Sequence, residues 1–200
     1  MKSNYIILFV FLICSFSFSQ EKDDLFNMIE QEEKKIELLP EKMIFTQSLL
    51  WGKKGLFRKT GISPLNLENR QKELKIRKTM LTTHQAIGYL TLASMIAQGI
   101  IGGKLYNGDE SLRSTHNTMG KVVNIGYFTG AGLSLFSPPP LINKKVKGFN
   151  SIKAHKILAT IHFSAMIATN YYKDKNKSNH KAAAYTAFAS YATAVLVIKF

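Results

Sequence analysis

Four of the five histidines stand near the start of four separate apolar segments: His84, His116, His155 and His180. A small residue follows each of them one helical turn later, namely Gly88, Gly120, Ala159 and Ala184. Two neutral imidazoles that face each other suit a six-coordinate haem iron, whose other four ligands come from the porphyrin. The small residue leaves room for a flat macrocycle beside the helix. The pattern therefore predicts that pairs of histidines bind haem iron.

Other uses of these histidines are weaker or stay open. Zinc normally takes four protein ligands in a structural site or three in a catalytic one, and no Cys, Asp or Glu stands near these histidines. The alternative without a cofactor is that they are polar contacts between helices. His162 lies seven residues after His155, on the same helix face and about 10 Å deeper. It either replaces His155 as a ligand or hydrogen-bonds inside the bundle, and the second role is favoured.

The elements that must position the histidines are four apolar segments of about 20 residues, close to the length that crosses a bilayer as a helix. They span residues 80–102, 115–136, 153–172 and 181–199. A Gly/Asn/Asp turn, a run of three prolines and a lysine-rich connection separate them. Asn66 is predicted to cap a helix that continues into the first segment. The predicted fold is all-α, with residues 80–200 as an up-down four-helix haem-binding bundle.

The distribution of charge favours a membrane bundle over a water-soluble one. No charged residue lies between Thr79 and Gly103 or between Ala182 and Ile198, whereas a soluble amphipathic helix shows a charged outer face. The many small residues would permit close helix contacts in lipid. A soluble bundle remains an alternative because the segments are only mildly apolar and include Lys121 and His162.

The direction of the helices predicts how the histidines pair. In an up-down bundle, alternate helices begin on the same side. His84 and His155 are therefore expected at one end, and His116 and His180 at the other. Each end would then hold one haem between two histidines.

Two short motifs resemble a known family. "HQAIGY" at residues 84–89 is similar to the first-helix motif of the cytochrome b561 family, and "HNTMG" at residues 116–120 is similar to the second. The resemblance covers about residues 80–200. It implies two b-type haems near opposite membrane faces, with His84 and His155 as one axial pair and His116 and His180 as the other. It also implies one-electron transfer across the membrane. The chain departs from the family in having no match to its cationic ascorbate-binding motifs.

The N-terminal part is predicted to be exported. Residues 1–19 look like a signal peptide: Lys2 precedes an apolar run, and Ser17 and Ser19 form a small-x-small site for cleavage before Gln20. An uncleaved anchor helix is the alternative. The only cysteine, Cys14, lies in this leader. Residues 20–79 are predicted to be an exported, amphipathic and interfacial helical segment.

Trp51 is the most informative residue of that segment. It stands among aliphatic residues and is followed by Lys53 and Lys54, an arrangement that suits the lipid headgroup region. The alternative is that this stretch packs on the rest of the protein.

Composition narrows the function classes. The formal net charge is +14, and ten of the thirteen acidic residues precede Met80. The later basic residues lie in connections, which suits an anionic membrane and not nucleic acid. No Ser-His-Asp, metal-carboxylate or glycine-rich phosphate motif indicates an enzyme with its own small-molecule site.

The predicted function is a membrane-bound b-type cytochrome that transfers single electrons through two bis-histidine haems. Its electron donor and acceptor are not identified by the sequence, and any enzymatic activity would be that of an oxidoreductase. The predicted location is the cell inner membrane, multi-pass, with the N-terminal segment exported, although the positive-inside rule opposes this orientation. The alternative is a haem-free membrane assembly or interaction protein with an exported docking segment.

Overall fold

The regular structure is helical throughout residues 37–141 and 150–198, which are the residues that the computed structural model describes. Six α-helices occur there: α1 Phe45–Trp51, α2 Leu56–Lys59, α3 Leu67–Tyr106, α4 Arg113–Leu135, α5 Ser151–Tyr172 and α6 Lys177–Val197. A 3-10 turn, Glu110–Leu112, precedes α4. The all-α prediction is confirmed. The predicted signal peptide and residues 20–36 lie outside the described residues.

Asparagine side chains begin three of the long helices. The side-chain oxygens of Asn66, Asn150 and Asn176 each accept a hydrogen bond at 2.9 Å from the backbone N–H three residues later. Such a cap satisfies one of the backbone donors that have no partner in the first turn. The predicted cap at Asn66 is therefore confirmed.

Helix α3 is 40 residues long, or about 60 Å. It passes without a break through the boundary predicted between residues 79 and 80. No proline interrupts residues 67–106, so nothing in this stretch removes a helical hydrogen bond. Residues 67–79 consequently form a charged extension of the first apolar segment.

The four long helices pack as two antiparallel pairs, α3 with α4 and α5 with α6, and α3 also contacts α6. Their shared core contains Met95, Val123, Tyr127, Met166 and Ala187. Helices α4 and α5 meet through longer side chains, for example through a 2.7 Å hydrogen bond from the Asn170 amide to the Asn124 oxygen.

Close approach of α3 and α4 depends on one glycine. A Cβ added to Gly126 would lie 2.6 Å from Oγ1 of Thr91. A larger residue at this position would require the Thr91 side chain or one of the two helices to shift. The small residues predicted to permit close helix contact therefore include at least this one.

Residues 38–66, called the cap below, fold against one end of the bundle. Trp51 donates a 3.0 Å hydrogen bond from Nε1 to the carbonyl oxygen of Phe136. Thr46 donates from Oγ1 to the carbonyl oxygen of Leu135. Trp51 is only 9% exposed. The sequence left two alternatives for this tryptophan, the lipid headgroup region and packing on the rest of the protein. The structure shows it packed on the rest of the protein.

A buried group of charges fastens the cap to α3. Both Arg58 of the cap and Arg70 of α3 form ion pairs with Glu73, and the side chains of Arg70 and Glu73 are each 1% exposed. Arg70 also donates to the carbonyl oxygens of Leu38 and Pro139. One carboxylate thus joins the cap, the α3 extension and the proline loop after α4.

The outer faces of all four long helices carry exposed, large apolar side chains: Leu90 on α3, Ile125 on α4, Ile157 on α5 and Leu196 on α6 are examples. Among the helices that the structure describes, α3 alone has both the length and the apolar composition needed to cross a bilayer. All-α is thus the confirmed part of the fold class.

Candidate functional site

The four histidines form two facing pairs. His84 on α3 faces His155 on α5, with ring centroids 6.5 Å apart and ring planes at 90°. His116 on α4 faces His180 on α6, with centroids 6.2 Å apart and planes at 82°. The structure thus brings together the first histidine with the third and the second with the fourth. Their role as haem ligands stays a prediction.

The separation within each pair corresponds to the space for one metal ion. An imidazole nitrogen binds a metal at about 2 Å. The nitrogen lies about 1 Å from its ring centre, so two imidazoles on one metal have ring centres about 6 Å apart. Both pairs have nearly this separation. The separation of the ring centres is therefore compatible with one metal ion between the two rings of each pair.

Hydrogen bonds to backbone carbonyls orient three of the four rings. Nδ1 of His84 lies 2.8 Å from the carbonyl oxygen of Gly130. Nδ1 of His155 lies 3.0 Å from the carbonyl oxygen of Ala194. A carbonyl can only accept, so each Nδ1 carries the hydrogen, and in the neutral imidazole Nε2 then keeps its lone pair.

His180 is held in the same way, with its Nδ1 2.9 Å from the carbonyl oxygen of Thr169. A histidine that binds a metal commonly donates its other N–H to a backbone carbonyl, which sets both the tautomer and the ring orientation. Three of the four predicted ligands therefore have the outer hydrogen bond that a ligand needs.

His116 is the exception. Its Nδ1 is buried and has no hydrogen-bond partner among the described residues. The side-chain amide of Gln98 donates to the backbone carbonyl of His116 at 3.0 Å and lies 3.4 Å from its Nε2. A Cβ added to Gly102 would lie 2.8 Å from Cε1 of His116. This ring is therefore confined by α3 and is not oriented by a carbonyl.

The carbonyls that accept from the histidines share one spacing. Gly130, Ala194 and Thr169 each lie fourteen residues after the histidine of their own helix, namely His116, His180 and His155. Fourteen residues are four turns, so both positions lie on the same helix face, about 21 Å apart. The two histidine pairs are accordingly about 21 Å apart along the bundle.

The glycines that follow the histidines contact neighbouring helices. The hydroxyl of Tyr191 donates to the carbonyl oxygen of Gly88 at 3.2 Å. A Cβ added to Gly120 would lie 3.3 Å from the amide nitrogen of Gln98. Close helix packing is thus one reason for small residues here. Room for a macrocycle beside Gly88, Gly120, Ala159 and Ala184 stays a prediction.

His162 lies inside the bundle, two turns deeper than His155. Its Nδ1 is hydrogen-bonded to the hydroxyl of Tyr127 at 2.5 Å. Its ring also contacts Tyr191, with centroids 5.1 Å apart. The predicted hydrogen bond of His162 inside the bundle is therefore observed, and its replacement of His155 as a ligand stays an untested alternative.

Several residues around the histidine pairs were missed by sequence reasoning. The accepting carbonyls carry no side-chain signal, because every residue has one. Gln98 did have a signal: it is a polar residue in an uncharged run, fourteen residues after His84. Tyr127 and Tyr191 resemble ordinary core aromatics in the sequence, and only the fold shows that both surround His162.

No protein-family model, curated protein or solved structure matches this chain. The residues that the structure describes also contain no group of three or more His, Cys, Asp or Glu side chains placed to hold a metal ion. Each facing pair brings two imidazole rings together. The interpretation of the pairs therefore depends on their own geometry and on the chemistry of imidazole.

Proposed function

We propose that this chain is a membrane-bound b-type cytochrome that transfers single electrons through two bis-histidine haems. The observation that carries the proposal is the pair of facing histidine sites, each with the separation that one metal ion requires. The carbonyl hydrogen bonds to three of the four rings support the same interpretation.

His84 and His155 would hold one haem, and His116 and His180 the other. When bound, haem iron supplies reversible one-electron chemistry. The chain itself orients the imidazoles through the carbonyls of Gly130, Ala194 and Thr169. The core cluster that includes Met95, Val123 and Met166 lies between the levels of the two pairs.

A membrane location is part of the proposal. Large apolar side chains are exposed on the outer faces of all four long helices, whereas soluble monomers rarely expose wide apolar patches. The uncharged stretch of α3 is long enough to span a bilayer. We place the four spans at residues 80–102, 115–136, 153–172 and 181–199 in the cell inner membrane, with the cap on the exported side.

Absorption spectroscopy tests the proposal. The full chain would be produced with an adequate haem supply and purified in mild detergent, and its reduced-minus-oxidised spectrum recorded together with its haem content. We expect a b-type spectrum that is lost on haem extraction. Folded, helical protein without b-haem absorption would overturn the proposal.

The second candidate is a haem-free membrane assembly or interaction protein. The observation that favours it is the folded cap, which exposes Phe45 and Leu49 at the end of the bundle. In that case the facing histidines would only join helices. His84→Gln combined with His155→Gln keeps polar side chains at both positions. This double variant should then leave the reduced-minus-oxidised absorption spectrum and the assembly or interaction function unchanged.

A further inference from the structure

We propose that the cap is a lipid-binding surface, in which the exposed face of α1 and the lysines that follow it rest on the anionic headgroup layer of the membrane that holds the bundle. This inference rests on the membrane location in the proposed function, and it does not depend on haem. Its three supports are the level of α1 along the bundle, the apolar face of α1 and the charge of the cap.

The level of α1 follows from its hydrogen bonds. Thr46 is bonded to the carbonyl oxygen of Leu135, at the last residue of α4. The Gly130 carbonyl contacts His84, so Gly130 and His84 lie at the same level. Because α3 and α4 are antiparallel, Leu135 lies near the level of Thr79, where the charged residues of α3 stop. Helix α1 therefore lies where the bundle would leave the hydrocarbon layer.

The outward face of α1 is apolar. Phe45 is 79% exposed and Leu49 is 55% exposed. Residues four apart lie next to each other on a helix surface, so the two side chains form one patch. Trp51, at the end of the same helix, is turned inward and buried. The residues that would enter the headgroup layer are therefore Phe45 and Leu49, and not the tryptophan.

The charge of the cap fits an anionic surface. Residues 42–67 contain five cationic residues and no acidic residue. Arg58 is paired with Glu73 inside the protein, while Lys53, Lys54 and Lys59 are exposed. A lysine near an anionic membrane surface is attracted by the negative headgroups and strengthens binding. Exposed apolar groups beside exposed lysines are the composition of an interfacial helix.

The buried ion pairs keep this surface in a fixed orientation. Glu73 receives hydrogen bonds from both Arg58 and Ser63, and Trp51 is bonded to Phe136. The cap is thus attached to both α3 and the end of α4 before it meets lipid. A preorganised surface loses less entropy on binding than a flexible segment.

Site-directed spin labelling in lipid nanodiscs tests the inference. The only cysteine, Cys14, would be replaced by Ser, and labels introduced singly by Phe45→Cys and Leu49→Cys. Leu90→Cys, on the exposed face of α3, gives the reference for lipid. Glu68→Cys, an exposed position about 18 Å before the start of the first span, gives the reference for water. The accessibility of each label is measured to oxygen, which concentrates in lipid, and to a nickel chelate, which stays in water.

We expect the labels at positions 45 and 49 to be more accessible to oxygen than the label at position 68 and more accessible to nickel than the label at position 90, because the headgroup layer lies between hydrocarbon and water. The preference for oxygen over nickel should be stronger in nanodiscs of phosphatidylglycerol than in phosphatidylcholine. Lys53→Glu with Lys54→Glu should remove this lipid dependence, whereas the control Lys75→Glu on α3 should not. Phe45 is unchanged in this second comparison, and the accessibility is measured on the label at position 49.

Three other results of the labelling experiment would contradict the inference or the membrane location on which it rests. Labels at 45 and 49 that resemble position 68, while position 90 reports lipid, would overturn the lipid-binding surface and leave the membrane bundle intact. A water-accessible label at position 90 would overturn the membrane location itself. Labels protected from both reagents would show that protein covers this face, which would also overturn the inference.

Discussion

The two ends of the bundle carry the same histidine pattern in different surroundings. At the end with His84 and His155, carbonyls fix both rings, and the cap and the proline loop pack nearby. At the end with His116 and His180, a carbonyl fixes only His180. His116 instead rests against Gly102 and beside Gln98.

This difference shows which properties of a site come from a motif and which come from its neighbours. The motif of a histidine followed by a small residue determines which helix carries the ring and where the ring lies along the bundle axis. The hydrogen bond that orients the ring comes from a carbonyl of another helix, fourteen residues after that helix's own histidine. We therefore expect the first site to be rigid and the second to depend on the fit of His116 against α3.

The largest expected effect comes from the buried carboxylate that holds the cap. Glu73→Gln removes the charge that pairs with Arg58 and Arg70 and leaves both buried. Breaking such a pair costs about 3–5 kcal/mol, so the cap should detach from α3. Trp51 fluorescence should shift to the red, and limited proteolysis should cut within residues 38–66.

The matched control is Glu68→Gln. Glu68 forms an exposed ion pair with Lys72 on the same helix, and exposed pairs contribute little to stability. No change in Trp51 emission is expected. Equal effects of the two substitutions would contradict the structural role assigned to Glu73.

The next effect is specific to the second site. Gly102→Ala would place a methyl group against the His116 ring and push it from its position. Displacing a ligand in this way should weaken binding of the second haem about 10-fold to 100-fold, as loss of a supporting contact commonly does. Haem titration of the purified protein would measure it, and the first haem should be unaffected.

Gly103→Ala provides the control for that experiment, because no atom of the residues that the structure describes lies within 4 Å of a Cβ added there. Both substitutions replace a helical glycine by alanine, so both gain helix propensity. Only the Gly102 variant should lose affinity. Equal haem binding by the two variants would show that the environments of the two sites differ less than the structure indicates.

A pH titration gives a further contrast between the cap and the rest of the bundle. Burial raises the pKa of Glu73, but hydrogen bonds from Arg58, Ser63 and Arg70 outweigh it and hold the pKa below its ordinary value of 4.5. A lowered pKa in the folded state means that the carboxylate stabilises the cap above pH 4.5, and that this stability is lost as the pH falls through the lower, folded value.

The expected observation is constant Trp51 emission from neutral pH down to about pH 4.5, followed by a change in more acidic solution. The helical signal of the bundle should persist while the cap detaches. A transition of Trp51 well above pH 4.5 would contradict the assignment of the cap's acid sensitivity to Glu73.

The smallest effect concerns the hydrogen bond between α6 and α3. Tyr191→Phe removes the bond to the carbonyl oxygen of Gly88, which should lower stability by about 1 kcal/mol. Tyr185→Phe on the same helix is the control, because Tyr185 is exposed. Thermal unfolding of the two variants compares them directly. A Tyr191 variant as stable as the control would show that this contact contributes nothing.

Much of the fold could be predicted from the sequence because its signals are local. Proline and asparagine set the ends of the helices, and the apolar segments agree with the observed α3 to α6 within a few residues apart from the α3 extension. The alternation of helix directions predicted that His84 meets His155 and His116 meets His180. Each of these inferences needs only spacing along one chain.

The cap could not be predicted, because it depends on contacts between distant residues. Arg58 lies 15 residues before Glu73, and Arg70 lies 69 residues before Pro139, so no local pattern predicts that these residues form one cluster. Trp51 beside lysines suggested an interface equally well, and only its bond to Phe136 identifies the packed alternative. The unusual surroundings of His116 likewise arise from Gly102 and Gln98 on another helix.

Haem content across a set of histidine variants tests the central claim most directly. The wild-type chain should hold two b-type haems. His84→Ala, His155→Ala and the double variant should each retain the same single haem, because both histidines serve one site. His116→Ala combined with His180→Ala should retain the other haem. Loss of different haems in the first two single variants, or no haem in folded wild-type protein, would contradict the account.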